Sequence, residues 1–438
     1  MNIKFLMGIL LPVIFLSTTT SGQNQPINHE EKLAIAEKSF QLLKANYIFQ
    51  DKVQPLESAI RKKLSNGDYK EYNTVSLFLK NLNSDLERLS NDRHVNIFYD
   101  PVRVKQINRE SKTEYAKQSF DPQFLAKAKF ENFMVRKIER LEGNVGYLKL
   151  DLFLDIRLSK NTLAAAMNFL ANSSALIIDL RQNGGGNAST VNFLLNYFLP
   201  DSTLTSKFTS RLTNTTTSIY TEPDPLIQKF SPAIPLYILT GKRTSSAAEV
   251  FAYTLQAFKR AVIVGDTTNG EANPGYALAL NDDMWMMIPT SVNINAITKT
   301  NWQGVGVIPD ILIPAARSFS AAQAKAHHEL SLLTKDTTLK YKYQWQALSF
   351  HSKAYPLKAD TTGFKALTGN YADNRTITLE GSDLYYQRIG VGKKIKLVQL
   401  NAETFELEGA EYFRIKFLKN GLEGLYDDGT VEFSKKLF

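Results

Sequence analysis

Residues 236–256 read LYILTGKRTSSAAEVFAYTLQ. The apolar run that begins at Leu236 predicts a buried strand, which Gly241 ends. Ser245 and Ser246 then lead into a helix, so a serine lies at a strand-to-helix turn beside a helix N-terminus. Backbone N–H groups and the helix dipole favour negative charge at such a place. Ser246 is therefore a candidate nucleophile, with room for an oxyanion next to it.

The same serine also fits a purely structural role. Ser246 and Glu249 have the spacing of a capping box, in which the hydroxyl accepts from a free helix N–H and the glutamate bonds back. Serine is among the preferred residues at a helix N-cap. Both interpretations stay open on this stretch alone.

Composition limits the classes of partner. The chain has 438 residues with a net charge of +9, from 52 basic and 43 acidic residues, and no Lys/Arg block that would follow a phosphate backbone. A nucleic-acid partner is therefore disfavoured. There is no cysteine, which excludes disulfides and thiolate metal sites.

The N-terminus has the layout of a secretory signal peptide. Lys4 precedes an apolar run over residues 5–16, and small polar residues follow. We assign residues 1–22 to the signal, with cleavage near Gly22. The apolar run is too short to span a bilayer comfortably, although an uncleaved anchor is the alternative. We expect an exported protein, periplasmic, in the cell envelope or extracellular, without a membrane span after the signal is removed.

The remaining chain divides by pattern into five segments. Apolar residues at helical spacing predict an N-terminal helical domain, and alternating strand and helix patterns later predict an α/β core. Short alternating strands separated by turns predict a small antiparallel β domain at the end. The expected segments are a helical domain at 27–100, a connector at 101–132, the core at 133–316, a helical linker at 317–360 and the β domain at 364–438.

Within the core, strands are predicted at residues 144–150, 174–180 and 261–264, in addition to the one at Leu236. A hairpin is predicted around residues 281–283. The polar, Ser/Thr-rich residues 202–220 receive no predicted element.

A serine nucleophile needs a base, and histidines are few. Of the five, only His94 lies at a polar turn that leads into a strand. It is the candidate base, and an exposed or capping histidine is the alternative.

Three consecutive glycines, Gly184, Gly185 and Gly186, follow a predicted buried strand. Such a loop lets backbone N–H groups approach a reacting group closely. An oxyanion loop and a simple tight turn both fit. A phosphate cradle fits less well, because neither G-x-G-x-x-G nor G-x-x-x-x-G-K-[ST] is present.

Four motifs, in this order, carry a family resemblance: DLRQNGGGN, TGKRTSSAAEVFAYTLQ, VGDTTNGEANPG and NWQGVGVIPDI. They resemble the carboxyl-terminal processing protease family of serine peptidases, and most closely its branch with the tricorn protease core and the interphotoreceptor retinoid-binding protein repeats. The resemblance covers residues 27–314. It implies a crotonase/ClpP-like α/β peptidase core, and the connector is too short for the PDZ module that the family often carries. The β tail resembles an accessory domain appended to such proteins in bacteria.

The resemblance also implies roles for particular residues. It places the nucleophile at Ser246. The lysine that the processing proteases pair with it would fall at residues 270–272, where the sequence is Gly-Glu-Ala. The tricorn-like branch uses a histidine that corresponds to His94. By the same resemblance, the oxyanion donors are the backbone N–H groups of Ala247 and of Gly184 or Gly185.

One position departs from the family pattern. The branch completes its site with the glutamate of a W-E-G-x-G segment, and this chain has Gln303 there. In a Ser-His-Asp triad, changing the acid to its amide lowers turnover by roughly 10⁴. Gln303 could still accept from His94 through its carbonyl oxygen, and Glu249 and Glu271 are the auxiliary acids nearby. If Gln303 orients His94, Gln303→Glu should raise the activity.

The sequence therefore predicts an exported serine endopeptidase that acts through an acyl-enzyme on peptides or unfolded proteins, without metal or cofactor. The oligomeric state is not set by the sequence. The alternative is a catalytically weak or inactive protein of the same fold that binds peptides or hydrophobic ligands. A crotonase-like acyl enzyme is a third possibility, and the predicted export disfavours its coenzyme A substrate.

Overall fold

A computed structural model describes residues 24–110, 120–358 and 361–437, so the predicted signal at 1–22 lies outside the described residues. Three helices open this part of the chain and lead to a short strand. Asn28 and Glu31 form a capping box at the first helix, and Thr74 caps the third. The elements are α1 (His29–Asn46), α2 (Val53–Asn66), α3 (Val75–Ser90) and β1 (Asn96–Tyr99).

The predicted connector contains two helices, α4 (Pro101–Glu110) and α5 (Pro122–Phe130). Asp121 caps α5 by accepting from two backbone N–H groups, and Pro122 occupies its first turn, where a missing N–H costs nothing.

Strands and helices then alternate, as the sequence predicts. The elements are β2 (Val135–Leu141), β3 (Val145–Leu150), α6 (Ile156–Phe169), β4 (Ala175–Asp179), α7 (Ala188–Leu195), β5 (Leu204–Ser210), β6 (Thr215–Tyr220), β7 (Leu236–Thr240), α8 (Ala247–Ala257), β8 (Val262–Gly265), β9 (Gly275–Ala279), β10 (Met284–Pro289), β11 (Ser291–Asn295) and β12 (Ile311–Leu312).

A six-stranded sheet with the order β12-β8-β7-β4-β3-β2 forms the centre of this region. Its strands are parallel except for β2, which is antiparallel at one edge. One face packs against α6, α7 and α8. The other face packs against α9 (Ala315–Leu333) and α10 (Thr337–Ala354). Strands covered on both faces read as continuous apolar runs, which explains why residues 174–180 and 236–239 are recognisable in the sequence.

The N-terminal helices share a core with the β9–β10 hairpin. Strand β1 pairs with β10, in register Asn96 to Met287, and completes a three-stranded sheet. Met284, Met286 and Ile288 of β10 are buried among the apolar side chains of α1, α2 and α3. The turn just before β1, which carries His94, is thereby held against the core.

Residues 202–220, which receive no element from the sequence, contain the whole β5–β6 hairpin. This hairpin joins β11 in a second three-stranded sheet. The strands are rich in threonine and serine and half-exposed, so they lack the apolar alternation that would reveal them.

The end of the chain is α11 (Thr361–Leu367) followed by an eight-stranded antiparallel meander, in which each strand pairs with the next. A bridge between Tyr371 and Lys436 brings its first strand to the chain end. The predicted fold class is confirmed: helices, then an α/β core, then an antiparallel β region. The strands are β13 (Gly369–Tyr371), β14 (Arg375–Glu380), β15 (Asp383–Arg388), β16 (Ile395–Gln399), β17 (Thr404–Leu407), β18 (Ala410–Leu418), β19 (Gly421–Tyr426) and β20 (Val431–Lys435).

None of the helices in the described ranges is both long and apolar enough to cross a membrane.

Candidate active site

The candidate residues meet at the carboxyl edge of the central sheet. Parallel strands β4, β7 and β8 end side by side, and the loops that follow them carry the glycine run, Ser246 and Glu271. Ligands commonly bind at this edge of an open parallel sheet.

Ser246 occupies a strained turn between β7 and α8. Its backbone has φ 50° and ψ −117°, a conformation that non-glycine residues rarely adopt. A sharp strand-to-helix turn of this kind exposes the nucleophile in α/β hydrolases. Ala247 is the first residue of α8, so its N–H is one of the four that lack an acceptor within the helix.

Glu249 holds this turn to the loop after β8. Its fully buried carboxylate accepts from the backbone N–H of Ser246 (2.8 Å), which is one half of the predicted capping box. It also accepts from Thr268 Oγ1 (2.5 Å), Gly270 N (2.7 Å) and Glu271 N (2.9 Å). Burial raises the pKa of the Glu249 carboxyl, although these hydrogen bonds lower it in part. Glu249 is thus engaged by the backbone of the site and is not directed at His94.

Asn183, which the sequence analysis did not single out, organises the glycine loop. Its buried side chain donates to Leu150 O (2.9 Å) and accepts from the Gly185 N–H (2.9 Å). The backbone carbonyl of Asn183 accepts from the Ser245 N–H (3.1 Å). The Gly185 N–H is therefore already used, contrary to its expected role as an oxyanion donor. Gly184 is exposed beside it. The position of Asn183 in the loop after a buried strand, next to the glycine run, was the available signal.

His94 is buried between two carboxylates. Its Nδ1 lies 3.9 Å from Asp92 Oδ1, and its Nε2 lies 3.7 Å from Glu271 Oε2. Neither ring nitrogen has a hydrogen-bond partner in the part of the chain that the structure describes. Glu271 also accepts from the Ser245 hydroxyl, so it connects the histidine to the serine pair.

Asp92 is the second residue that the sequence analysis did not assign. Its buried carboxylate accepts from the His94 backbone N–H (3.1 Å), from Tyr47 Oη (3.4 Å) and from Asn273 Nδ2 (3.5 Å). Burial raises the pKa of Asp92, and the nearby His94 lowers it in part. The Asp-x-His spacing is visible in the sequence, but it does not distinguish a turn-capping aspartate from one that faces the imidazole.

Gln303 makes no hydrogen bond to the imidazole, contrary to the expectation that it orients His94. Its Oε1 accepts from Ala272 N–H (2.8 Å), and its Nε2 donates to Asn91 O (3.3 Å). The amide therefore fastens the segment before His94 to the loop that carries Glu271.

Ser246 and Ala247 line a cleft between α7 and the β11-β5-β6 sheet. None of the described residues that line this cleft is charged. Most of its wall is apolar, from Val191, Leu195, Phe208, Ile219, Val250 and Tyr276. A strained serine next to the N–H of Ala247 at a helix N-terminus, together with a buried histidine, is an arrangement suited to acyl transfer. Over the described ranges, no three His, Asp or Glu side chains are grouped as a metal site would need.

Comparison with known families agrees with this geometry. Residues 144–313 match the model of peptidase family S41, and residues 28–134 match the N-terminal domain of peptidase S41 in eukaryotic IRBP. The chain belongs to peptidase family S41. The family expected from the sequence motifs is confirmed, and the second match agrees with the branch.

Individual S41 relatives are distant. A carboxy-terminal-processing protease of Bartonella bacilliformis is 26% identical over 180 residues, which cover 40% of this chain and 40% of that protein. A carboxyl-terminal-processing protease of Synechocystis is 27% identical over 209 residues, which cover 45% of this chain and 46% of that protein. The chain thus spans less than half the length of these relatives. The solved photosystem II D1 C-terminal processing protease superposes with a TM-score of 0.41 at 14% identity, covering 66% of this chain and 94% of that one.

Proposed function

We propose that this S41 protein is a serine endopeptidase that hydrolyses peptide bonds through an acyl-enzyme, with Ser246 as the nucleophile. The observation that carries the proposal is the conformation of Ser246. A serine held at φ 50° and ψ −117° at the start of α8 presents its side chain beside the free N–H of Ala247. Strain of this kind persists where the surroundings enforce it, and it is concentrated at functional sites.

In the proposed reaction, Ser246 Oγ attacks the carbonyl carbon while His94 Nε2 takes its proton. The negative charge that develops on the carbonyl oxygen is stabilised by the N–H groups of Ala247 and Gly184. Collapse of the tetrahedral intermediate breaks the C–N bond, and His94 gives the proton to the leaving amine. Water then repeats the sequence on the acyl-enzyme, which restores Ser246.

We assign the orienting role to Asp92 in place of Gln303. Asp92 faces Nδ1 of His94 and fixes the backbone at the same position, whereas the Gln303 side chain bonds to the backbone of Ala272 and Asn91. An acid beside Nδ1 selects the tautomer that leaves Nε2 free to accept a proton. A closer approach in the substrate complex is expected, since catalytic hydrogen bonds are often long without substrate.

The cleft next to Ser246 accounts for substrate binding in this proposal. An uncharged, largely apolar cleft accepts an apolar side chain of a peptide whose carbonyl lies at Ser246. The proposed substrates are peptides or unfolded proteins, because an apolar side chain of a folded protein is usually buried in the core of that protein and cannot enter the cleft.

Hydrolysis of a quenched fluorescent peptide library tests the proposal, and the chain offers a matched control. Ser246→Ala should remove the serine-dependent hydrolysis, whereas Ser245→Ala, one residue away, should keep it within about tenfold. Equal hydrolysis by wild type and Ser246→Ala would refute the assignment of the nucleophile.

The second candidate function is binding without turnover on the same scaffold. The observation in its favour is that both ring nitrogens of His94 lack a hydrogen-bond partner among the described residues. Peptide binding by a wild-type protein that neither hydrolyses the library nor reacts with a fluorophosphonate would favour this candidate.

Export and the division into segments belong to the same proposal. We propose that residues 1–22 are removed as a signal and that the β tail, which has its own hydrophobic core, acts as a separate domain. N-terminal sequencing of the mature protein from the cell envelope tests the removal of residues 1–22. An intact N-terminal Met1 on a cytosolic protein would contradict it.

A further inference from the structure

Glu271 lies beside Nε2 of His94, the nitrogen that the leaving group of the proposed reaction must reach. Its Oε2 accepts a hydrogen bond from the Ser245 hydroxyl and is 3.7 Å from His94 Nε2. With Asp92 on the Nδ1 side, Nε2 is the nitrogen that must reach both the nucleophile and the leaving amine. The carboxylate of Glu271 therefore competes with the reacting groups for the same nitrogen.

The backbone at this position is fixed, but the side chain is not fully enclosed. Glu271 N–H donates to Glu249 Oε2 (2.9 Å), and the next N–H, that of Ala272, donates to Gln303 Oε1 (2.8 Å). The Glu271 side chain is 20% exposed, compared with 8% for His94. Rotation of the Glu271 side chain alone can therefore move the carboxylate away from the histidine.

The charges around Glu271 favour a cationic partner. The other carboxylates of the site, Asp92 and Glu249, are buried, and the adjoining cleft lining is uncharged. Arg93 is a cation of the same region, but its guanidinium is engaged elsewhere. It donates to Glu87 Oε1 (3.0 Å) and to Asn269 O (2.8 Å). A partly exposed carboxylate beside an uncharged cleft attracts a positive group of the substrate.

We propose that Glu271 determines specificity by binding the side chain of a lysine or arginine that immediately follows the scissile bond. The inference rests on the proposed function, which places the leaving group at Nε2 of His94. Pairing with the substrate cation draws the carboxylate away from Nε2 and from Ser245, so the preferred substrate also clears the nitrogen that its own cleavage requires. A substrate with an acidic residue at this position meets the unpaired carboxylate and is disfavoured.

Binding to an inactive protein tests this inference without depending on turnover. Peptides Ala-Ala-Val-Leu-Xaa-Ala-Ala, with fluorescein coupled to the N-terminal amine, a C-terminal amide and Xaa as Lys, Gln or Glu, are titrated against Ser246→Ala and followed by fluorescence polarisation. The caps remove the terminal charges, so the side chain of Xaa is the one variable. The lysine peptide should bind about tenfold more tightly than the glutamate peptide, with the glutamine peptide between them.

Adding Glu271→Gln to the Ser246→Ala protein should reduce the difference in affinity between the lysine and glutamate peptides to less than about twofold. Adding Glu222→Gln, which removes an exposed carboxylate elsewhere in the same region, should leave the difference unchanged. Equal affinities for the three peptides, no binding of the lysine peptide, or a preference that survives Glu271→Gln would overturn the inference. Reaction of wild-type Ser246 with a fluorophosphonate involves no peptide, so the proposed function can stand or fall separately.

Discussion

The backbone of Gly185 lies directly against Ser246. A β-carbon built on Gly185 would be 2.9 Å from Ser246 Cβ, 2.9 Å from Ser245 O and 3.1 Å from Ala247 N. Gly185 also has φ 106°, which side chains disfavour. The glycine loop and the serine turn therefore fit together only because this residue has no side chain.

Gly185→Ala should lower peptide hydrolysis by about 10²-fold or more, because the loop must move away from the turn that bears the nucleophile and the oxyanion donors. Gly184→Ala is the comparison variant: it keeps its backbone N–H, and its added β-carbon would meet nothing within 4 Å, so its hydrolysis should stay near the wild-type level. Hydrolysis and thermal unfolding of both variants are measured together. Wild-type activity in Gly185→Ala would show that the close contact has no catalytic importance.

Asp92→Asn should reduce kcat by about 10³–10⁴, since an amide beside Nδ1 no longer selects the productive tautomer of His94. The loss should appear in kcat more than in KM, because Asp92 lies behind the histidine and away from the cleft. Steady-state kinetics on one peptide measure both. A variant with wild-type kcat would remove Asp92 from the mechanism.

The same substitution should not destabilise the protein at neutral pH. Burial raises the pKa of Asp92 in the folded state, so the folded protein binds a proton there more readily than the unfolded chain. The unfolding free energy contributed by this group is therefore greatest below the ordinary aspartate pKa and is lost as the pH rises through the folded pKa. Asp92→Asn should have a Tm equal to or above the wild-type Tm at pH 7, and this advantage should shrink on acidification. A Tm deficit that is largest at pH 7 would contradict this sign.

Gln303→Glu should give no gain in activity, in contrast to the expectation from the sequence. The amide donates to Asn91 O, and a carboxylate there would face that carbonyl unfavourably. We expect a decrease of up to about tenfold in kcat/KM and a small loss of stability. An increase in kcat/KM would show that residue 303 reaches His94 during the reaction.

Much of the fold could be predicted from residues whose burial produces a hydrophobic pattern in the sequence. The strands at Leu236 and at residues 174–180 lie inside two layers of helices, so they appear as apolar runs. The strand β2 and the β5–β6 hairpin were missed, because their side chains are largely half-exposed or exposed and polar. Helices α4 and α5 were missed within a segment treated as a connector.

The residues of the candidate site also fall into two groups, those that could be predicted from the sequence and those that could not. Ser246, His94 and the glycine run could be found because each lies at the end or start of a recognisable element. Asp92 and Asn183 could not be assigned, because their importance comes from contacts with residues distant in sequence, such as Tyr47 and Leu150. Gln303 was placed beside His94 by resemblance, but it bonds to backbone groups of two other loops.

Localisation of a fluorophosphonate adduct tests the central claim most directly. The wild-type protein is labelled, digested and sequenced by tandem mass spectrometry, with Ser246→Ala and Ser245→Ala treated in parallel. We predict a single adduct on Ser246, its loss in Ser246→Ala and its retention in Ser245→Ala. An adduct on Ser245, or none on the wild-type protein across neutral to alkaline pH, would contradict the account.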